Sequence, residues 1–230
     1  MTLQEAIMQR HSVRRYVHKP LSAEIVETLR KKIEECNAEG GLHIQLVTNE
    51  TRAFTGLFSY GKFSGVENYI VMVGKKADDL DERVGYYGEQ LVLLAQTLGL
   101  NTCWAGLSYR RVDEAYSVGD DEKLTCMIAL GYGSTQGHKR KSKTAEQVSN
   151  ISSDSPEWFR NGVEAALLAP TAINQQKFSF TLLPNEQDTE DKPKVLAKRG
   201  FSMVGYTKMD IGIARLHFEI GAGTENFDWA

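Results

Sequence analysis

The chain has 230 residues, of which 41% are hydrophobic and 25% are charged, and its formal net charge is −3. This composition is typical of a globular protein with a buried core, and it disfavours general nucleic-acid or anionic-membrane binders, which need a basic surface. The apolar runs are shorter than the roughly 18 residues of a membrane span, and the first residues lack the apolar core of a signal peptide. We therefore expect a cytoplasmic protein with no nucleic-acid or membrane partner.

The cysteines and histidines show no pattern typical of a metal or redox centre. Cys36, Cys103 and Cys126 are an odd number without CxxC spacing, and each lies in an apolar or helical pattern. The five histidines lack ligand spacing such as HExxH. We interpret the cysteines as reduced core thiols and expect no metal site.

The first half of the chain alternates helical and strand-like patterns. "LQEAIMQRH" predicts a short helix, and a second helix over about 22–38 begins at the N-cap Ser22 and ends before Gly40. "LHIQLVT" then alternates like a strand. After a connection rich in glycine and aromatic residues, "NYIVMVGK" and "KLTCMIALGYG" are typical of buried strands, and "YYGEQLVLLAQTLGL" between them predicts an apolar helix.

The second half repeats this order after a polar segment. "SPEWFRNGVEAALLAP" predicts a helix, "KFSFTLLPN" and "GFSMVGYTK" predict strands, and "DIGIARLHFEIGAG" predicts another helix. Gly212 and Gly223 have the same separation as Gly88 and Gly99 in the first half. These similarities favour an internal duplication, although chance similarity between α+β segments is the alternative. The predicted organisation is an N-terminal half at 1–133, a loop or crossing linker at 134–153 and a C-terminal half at 154–230.

Two basic clusters are candidates for an anion site. "RHSVRRY" contains Arg10, His11, Ser12 and Arg14, whose guanidinium and hydroxyl groups can bind a phosphate. "GHKRKSK" follows the strand ending in "ALGYG", and a loop at that strand end could present basic residues to the same anion. The basic residues of this second cluster are Lys139, Arg140 and Lys141. Solvated basic turns are the alternative interpretation of both clusters.

A row of amides follows a helix stop in "LLAPTAINQQKFSF". Pro170 ends the helix, and Thr171, Asn174 and Gln175 come directly after it. Neutral amides can read the carbonyl and N–H edges of a planar heterocycle, because each amide carries both donors and an acceptor. The alternative is that they only satisfy the end of the preceding helix. Similarly, Gly106 in "LNTCWAGLSY" either allows close backbone approach to a ligand or simply forms a turn.

Together these segments resemble the FMN-dependent nitroreductase family. "AIMQRHSVRRY" is similar to its N-terminal basic signature, and "APTAINQQKFSF" is similar to its Pro-Ser-Ser-x-Asn-x-Gln-Pro-Trp motif. "GEQLVLLAQTLGLNTCWAG" and "ALGYG" followed by "KRKS" resemble its central helix with glycine loop and its C-terminal strand with basic segment. The resemblance implies an α+β nitroreductase-like fold, with an antiparallel sheet core, surrounding helices and two pseudo-symmetric halves.

The resemblance also implies an FMN site and the residues that form it. Arg10, His11 and Ser12 match positions that bind the flavin phosphate, and Arg14 matches a basic residue near the pyrimidine edge of the ring. Gly106 matches a backbone donor near the flavin N5 or O4. The implied cofactor-binding set is Arg10, His11, Ser12, Arg14, Trp104, Ala105, Gly106, Arg140, Lys141, Pro170, Thr171, Ala172, Asn174 and Gln175.

The amide motif departs from the family pattern in its position. Family members carry it a few tens of residues after the basic signature, whereas here it lies about 160 residues later, and it reads "NQQKF" where the family often has Gln-Pro-Trp. Family members are homodimers whose flavin contacts the basic signature of one subunit and the amide motif of the other. A fused pair of half-like copies would supply both within one chain. We therefore expect a monomer that contains one flavin, with a swapped homodimer as the alternative.

The resemblance predicts an NAD(P)H-dependent nitroreductase-like flavoenzyme. It would transfer a hydride through FMN to a nitroaromatic, quinone or similar flat oxidant, and Arg14 would stabilise negative charge at the flavin N1–C2=O edge. A non-catalytic FMN- or nucleotide-binding protein and a cofactor-less pseudodimer are the alternatives. The sequence leaves the physiological oxidant and the choice of NADH or NADPH open.

Overall fold

The structure is a computed structural model that describes residues 1–55, 63–138, 140–184 and 192–230. Its helices are α1 (Leu3–Gln9), α2 (Ala23–Gly40), α3 (Leu80–Thr97), α4 (Glu157–Leu167) and α5 (Thr207–Ala222). Its strands are β1 (Gln45–Val47), β2 (Asn68–Lys75), β3 (Asn101–Ala105), β4 (Glu122–Gly131), β5 (Phe178–Leu182), β6 (Lys194–Arg199) and β7 (Asp228–Trp229). Short 3₁₀ turns lie at Ala145–Gln147 and Ala172–Asn174.

The strands form two sheets. The larger is antiparallel in the order β1-β2-β4-β3, and the smaller has the order β5-β6-β7, with β5 and β6 antiparallel and β6 and β7 parallel. The central strand β2 is buried along nearly its whole length. Alternate residues of this strand therefore face two different apolar layers: Ile70 packs in the main core with the helices, and Val71 packs in a second cluster with Phe54 and Phe63.

The first two helices begin at side-chain caps, of which Ser22 was predicted. Ser22 Oγ accepts the backbone N–H of Ile25 at the start of α2, and Gly41 ends the helix in the left-handed region at φ 58°. Thr2 and Glu5 form a capping box at the start of α1. Local side-chain chemistry therefore determines where these helices begin and end.

Helices α3 and α5 cross in backbone contact at two glycines. A Cβ added to Gly85 would lie 2.1 Å from the carbonyl oxygen of Met209, and a Cβ added to Gly212 would lie 2.1 Å from that of Glu82. No side chain fits between the helices at these points, so the small residues determine how closely the helices approach. The main core continues from α2 to the end of the chain, with Leu29 and Phe227 in the same cluster.

The structure corrects several sequence predictions. Residues 200–206, predicted as part of a strand, form turns, because Gly205 and Tyr206 have φ of 78° and 62° and interrupt an extended chain. The strand lies earlier, at β6, and β3 and β7 were not predicted. The order helix, strand, strand, helix, strand occurs in both halves, but the two sheets differ in strand pairing. Internal duplication and the domain boundaries therefore stay predictions.

The three cysteines are free and buried, which confirms the interpretation as core thiols. Burial raises the pKa of the Cys36 thiol to about 11 and that of Cys126 to about 12. Both groups therefore hold their protons at neutral pH. Within the described ranges, no helix combines the length and apolar character needed to cross a membrane.

Candidate functional site

The N-terminal basic segment lies against the segment that follows α4, although about 160 residues separate them in sequence. Ser12 pairs with Thr102 of β3, and the backbone N–H of Val13 donates to Thr102 O at 3.0 Å. From this anchored stretch, Arg10 Nη1 donates to Leu168 O at 3.4 Å. The basic signature and the amide motif therefore meet within one chain.

The two segments enclose a cavity of about 570 Å³, which we call the outer cavity. It is lined by Ile7, Met8, Arg10, His11, Ser12, Arg14, His138, Arg140, Ser142, Leu168, Pro170, Thr171, Ile173 and Asn174. Its wall thus carries several cationic and hydroxyl groups and, among the described lining residues, no carboxylate. Such a wall favours an anion.

Two guanidinium groups converge on the carboxyl end of α4. Arg140 Nη2 donates to Leu167 O at 2.7 Å, and Arg10 binds the next carbonyl. Burial, together with the nearby charge of Arg10, lowers the pKa of Arg140 to about 10, so the group stays charged at neutral pH. Arg10 is only 9% exposed, and its Nε has no hydrogen-bond partner. A buried and a half-buried guanidinium, the first with an unused donor, are suited to binding an anion such as phosphate.

A buried carboxylate connects this pair to β3. Glu89 of α3 lies with Oε1 3.9 Å from Arg10 Nε, while its Oε2 accepts Trp104 Nε1–H at 2.9 Å. Its Oε1 also lies 2.9 Å from Nε2 of the buried His217, whose Nδ1 lies 3.2 Å from Ala165 O. Nδ1 faces a carbonyl oxygen, which can only accept, so Nδ1 carries a proton. The short contact between Nε2 and Glu89 Oε1 then requires a second proton, held by one of these two atoms. Glu89 therefore joins Trp104 and His217 by hydrogen bonds and lies within ion-pair distance of Arg10.

A second cavity of about 360 Å³, the inner cavity, continues from the outer one. The two share Ser12, Arg14, Pro170, Thr171 and Ile173. The other lining residues of the inner cavity are Phe63, Trp104, Ala105, Gly106, Leu107, Ser108, Cys126, Ala172, Val204, Tyr206, Met209, Asp210 and Ile213. A cation-lined space thus opens into one with mainly apolar and aromatic walls.

Gly106 lies directly against the aromatic wall. A Cβ added to it would come within 2.6 Å of the Tyr206 ring, so only glycine fits without displacing that ring. Tyr206 itself has φ of 62° and forms the N-cap of α5. The close approach to this ring gives Gly106 a packing role in addition to any ligand contact.

The amide segment has a constrained backbone. Ile173, Asn174 and Gln176 have φ of 46°, 60° and 46°, in the left-handed region that a β-branched residue such as Ile173 rarely adopts. Hydrogen bonds hold this shape: Asn174 Nδ2 donates to Lys141 O at 2.8 Å, and Gln176 N–H donates to Thr171 Oγ1 at 3.1 Å. The chain's own hydrogen bonds therefore define the shape of this segment.

Asp210 of α5 anchors the same segment. Its Oδ1 accepts the backbone N–H of Ala172 at 2.9 Å, and its Oδ2 accepts Gln175 Nε2 at 2.6 Å. Gln175 Nε2 also donates to Gly205 O at 3.0 Å. The side-chain amides of Asn174 and Gln175 thus donate to neighbouring loops and to Asp210 of α5. The last carbonyls of α4 accept hydrogen bonds from Arg140 and Arg10 instead. This contradicts the alternative in which the amides only satisfy the helix end.

Most of the sequence-predicted site residues line the two cavities. Those that do are Arg10, His11, Ser12, Arg14, Trp104, Ala105, Gly106, Arg140, Pro170, Thr171, Ala172 and Asn174. Lys141 and Gln175 do not: Lys141 contributes its carbonyl to Asn174, and the Gln175 amide is turned to Asp210. Lys139 lies outside the described residues. Their roles toward a ligand stay predictions.

Sequence reasoning missed several residues of the site. His138 and Ser142 line the outer cavity and flank the basic run that the sequence analysis did single out. Glu89 and His217 lie in apolar helices, where a lone polar residue signals a buried partner. Asp210 gave no such signal, because an acidic residue in the first turn of a helix is common.

Fold and site together define an α+β protein with a cleft lined by cationic side chains beside a cavity with mainly apolar and aromatic walls. The chain belongs to the family described as "Putative TM nitroreductase", whose model matches residues 2–222. No curated protein matches the sequence.

Solved structures share this fold. A Thermotoga maritima protein described as a "putative nitroreductase" is 23% identical with a TM-score of 0.62, and the match covers 96% of this chain and 83% of that one. A nitroreductase from Desulfovibrio desulfuricans, solved in complex with FMN, is 16% identical with a TM-score of 0.52 over 68% and 99% of the two chains. Nitroreductase A from Vibrio parahaemolyticus is 17% identical with a TM-score of 0.53 over 68% and 79%. These matches confirm the predicted nitroreductase-like α+β fold.

Proposed function

We propose that this protein is a flavin-dependent oxidoreductase that binds FMN along the two connected cavities. Arg10 and Arg140 would bind the phosphate, together with the hydroxyl of Ser12. The inner cavity would hold the ring between the segment beginning at Pro170 and the loop at Gly106. Family membership and the FMN complex of the Desulfovibrio protein support this assignment.

The fit of the cleft to FMN is the observation that carries the proposal. An unpartnered donor on Arg10 and the half-buried guanidinium of Arg140 suit a terminal phosphate. The adjoining space has the apolar and aromatic lining typical of sites for planar ligands. The sequence has no GxGxxG after a strand to hold the pyrophosphate of FAD. FMN is therefore favoured over FAD.

When bound, FMN would supply the hydride and electron transfer. The chain would orient the ring and the reactants and exclude water from the inner cavity. Arg14 lines both cavities and is the cation placed to stabilise negative charge at the ring edge. The proposed donor is NAD(P)H, and the proposed acceptor is a nitroaromatic, quinone or other flat oxidant in the cytoplasm.

Absorbance and mass spectrometry test this function. We expect the purified protein to bind FMN, to release FMN rather than FAD on denaturation, and to lose the visible absorbance band of the oxidised flavin on anaerobic addition of NAD(P)H. A protein that stays colourless after incubation with FMN would be a cofactor-less pseudodimer. Bound flavin that NAD(P)H cannot reduce would indicate a non-catalytic binder.

Arg14→Ala should slow flavin reduction more than it weakens FMN binding. A cation near the ring edge stabilises the reduced anion more than the neutral oxidised ring, so we expect a loss of about 10- to 100-fold in the reduction rate. Stopped-flow reduction and FMN titration measure the two effects separately. Arg15→Ala is the matched control, since Arg15 is exposed and lines neither cavity. An unchanged reduction rate in Arg14→Ala would rule out this role.

The proposed site is complete within one chain, so we expect a monomer with one FMN. Arg10 and Asn174 line the same outer cavity without a partner chain. Mixing an Arg10→Ala chain with an Asn174→Ala chain should therefore restore neither FMN binding nor activity, and light scattering should give the mass of one chain. Recovery on mixing would instead place the site between two chains, as in a swapped dimer.

A further inference from the structure

Asp210 is the one carboxyl group among the described residues that line the inner cavity. It lies in the first turn of α5, is 2% exposed, and belongs to the same wall as Tyr206 and Ala172. Its two oxygens accept one hydrogen bond each. Each oxygen of a carboxyl group has room for a second bond, so the cavity side of the group remains available to a ligand.

Reduction of a quinone or nitro oxidant consumes protons as well as electrons. A quinone takes up two electrons and one proton as a hydride equivalent, and one further proton must form an O–H bond at an oxygen of the acceptor. Water reaches a cavity filled by cofactor and acceptor poorly, so a protein group in the wall is the favourable source. NAD(P)H supplies the hydride equivalent but not this second proton.

The other protic groups of the inner cavity hold their protons tightly. Burial raises the pKa of Cys126 to about 12, and burial also raises that of Tyr206 above its usual range. Alcohol side chains such as Ser108 are weaker acids still. By contrast, burial raises the pKa of Asp210 to about 6, against the lowering effect of hydrogen bonds from Ala172 and Gln175 and of the charge on Arg140. Asp210 can therefore both release and regain a proton near neutral pH.

The charged groups around Asp210 leave its pKa near neutral pH. Arg140 approaches from the loop before α4, and Arg14 lines the inner cavity from the N-terminal segment. The carboxylate of Glu89 in α3 partly cancels the positive charge that Arg140 places near Asp210, because it lies close enough to the Arg140 guanidinium to raise the pKa of that group. Tyr206 on the same wall and Cys126 from β4 are neutral.

We propose that Asp210 delivers the proton taken up by an oxygen atom of the acceptor during its reduction in the inner cavity. The O–H bond of the Asp210 carboxyl breaks, an O–H bond forms on the acceptor, and the carboxylate regains a proton from water after product release. Asp210 thus acts as a general acid. The inference rests on the proposed flavin function, which supplies the two electrons.

The choice of acceptor separates this role from a structural one. Ferricyanide accepts one electron and no proton, whereas a benzoquinone requires the proton. We expect Asp210→Asn to lower kcat with benzoquinone by about 100-fold, within the range of general acid catalysis, and to lower ferricyanide turnover by a much smaller factor, which measures the loss of the Asp210 anchor alone. Asp210→Glu, which restores a carboxyl group, should recover part of the benzoquinone rate.

The pH profile provides a second test. The donor is the protonated form, whose fraction falls as pH rises through about 6. In the parent, kcat with benzoquinone should therefore fall above that pH, and Asp210→Asn should lose this dependence. In the apoprotein, carbon-13 NMR of labelled aspartate should show a carboxyl that titrates near the same pH and is missing from Asp210→Asn. Asp228→Asn, an equivalent change at an exposed position of β7, is the control and should resemble the parent in every measurement.

The kinetic and NMR measurements distinguish the outcomes that would contradict this proposal. Equal loss with both acceptors and weaker FMN binding in Asp210→Asn would show that Asp210 only anchors the Ala172–Asn174 turn, which overturns the proton-donor role. Unchanged benzoquinone turnover, or titration of Asp210 near its ordinary pKa, would overturn it as well. A parent protein that neither binds FMN nor reduces ferricyanide would overturn the proposed function and this inference together.

Discussion

Gly85→Ala should destabilise the protein by about 3 kcal/mol or more, at the upper end of the cost of overpacking. The added Cβ would lie 2.1 Å from the carbonyl oxygen and 2.9 Å from the carbonyl carbon of Met209. These are backbone atoms of α5, so no rotamer change can relieve the contact and the two helices must separate. For a chain of this size we expect the melting temperature to fall by roughly 10 °C, measured by circular dichroism.

Gly200→Ala is the matched control for this substitution. A Cβ at Gly200 would meet only Lys177 atoms at 3.5 Å or more, and the backbone there does not have the positive φ that disfavours alanine. We expect its melting temperature to stay close to that of the parent. Gly212→Ala should behave like Gly85→Ala, because it meets the carbonyl oxygen of Glu82 at the same distance. A Gly85→Ala melting temperature equal to that of Gly200→Ala would refute the backbone contact.

Arg10→Ala should weaken FMN binding by about 30- to 1,000-fold, which corresponds to about 2–4 kcal/mol. The substitution removes a buried cation from the proposed phosphate site and leaves Leu168 O and Glu89 without that cation. An anion would then lie near the negative end of α4, where Arg140 would remain to bind a carbonyl and offset the negative charge. The dissociation constant follows from quenching of flavin fluorescence on titration of the apoprotein.

Two controls separate a phosphate effect from a general loss of structure. Riboflavin lacks the phosphate, so its affinity should change little in Arg10→Ala, whereas a collapsed cleft would weaken both ligands. Arg30→Ala removes the same charge from the exposed surface of α2 and should bind FMN like the parent. The affinity of the parent should also fall with added salt more steeply than that of Arg10→Ala. Parallel loss of riboflavin and FMN binding would count against the phosphate assignment.

Much of the fold was predictable because local signals and tertiary packing agree. Helix α2 begins at the cap Ser22 and ends at Gly41, and β2 and β4 carry the long apolar runs of buried strands. Most of the site residues that the resemblance implied line one or both cavities. Their convergence within one chain was expected from the position of the amide motif.

Other features depend on tertiary contacts that leave weak traces in the sequence. The apolar alternation around Met203 is typical of a strand, but the left-handed Gly205 and Tyr206 turn the chain there. The amides of Asn174 and Gln175 were expected at a ligand edge, yet their donors bind Lys141 O and Asp210. Burial makes Asp210 a weaker acid than an exposed aspartate, and burial depends on the packing of α5 against its neighbours.

The left-handed backbone at Ile173 has a consequence for the thermodynamics of ligand binding. Ile173 is 77% exposed, so its strain is maintained by neighbouring hydrogen bonds rather than by packing of its own side chain. Conformations of this kind raise the free energy of the chain by roughly 1–3 kcal/mol each. Because hydrogen bonds within the chain hold this shape, the strain lowers the free energy of unfolding and is not added to the free energy of ligand binding. A ligand therefore meets a wall that is already ordered and loses little affinity to its rearrangement. Association should follow a single exponential, with no slow isomerisation phase and only a small entropic penalty from the protein.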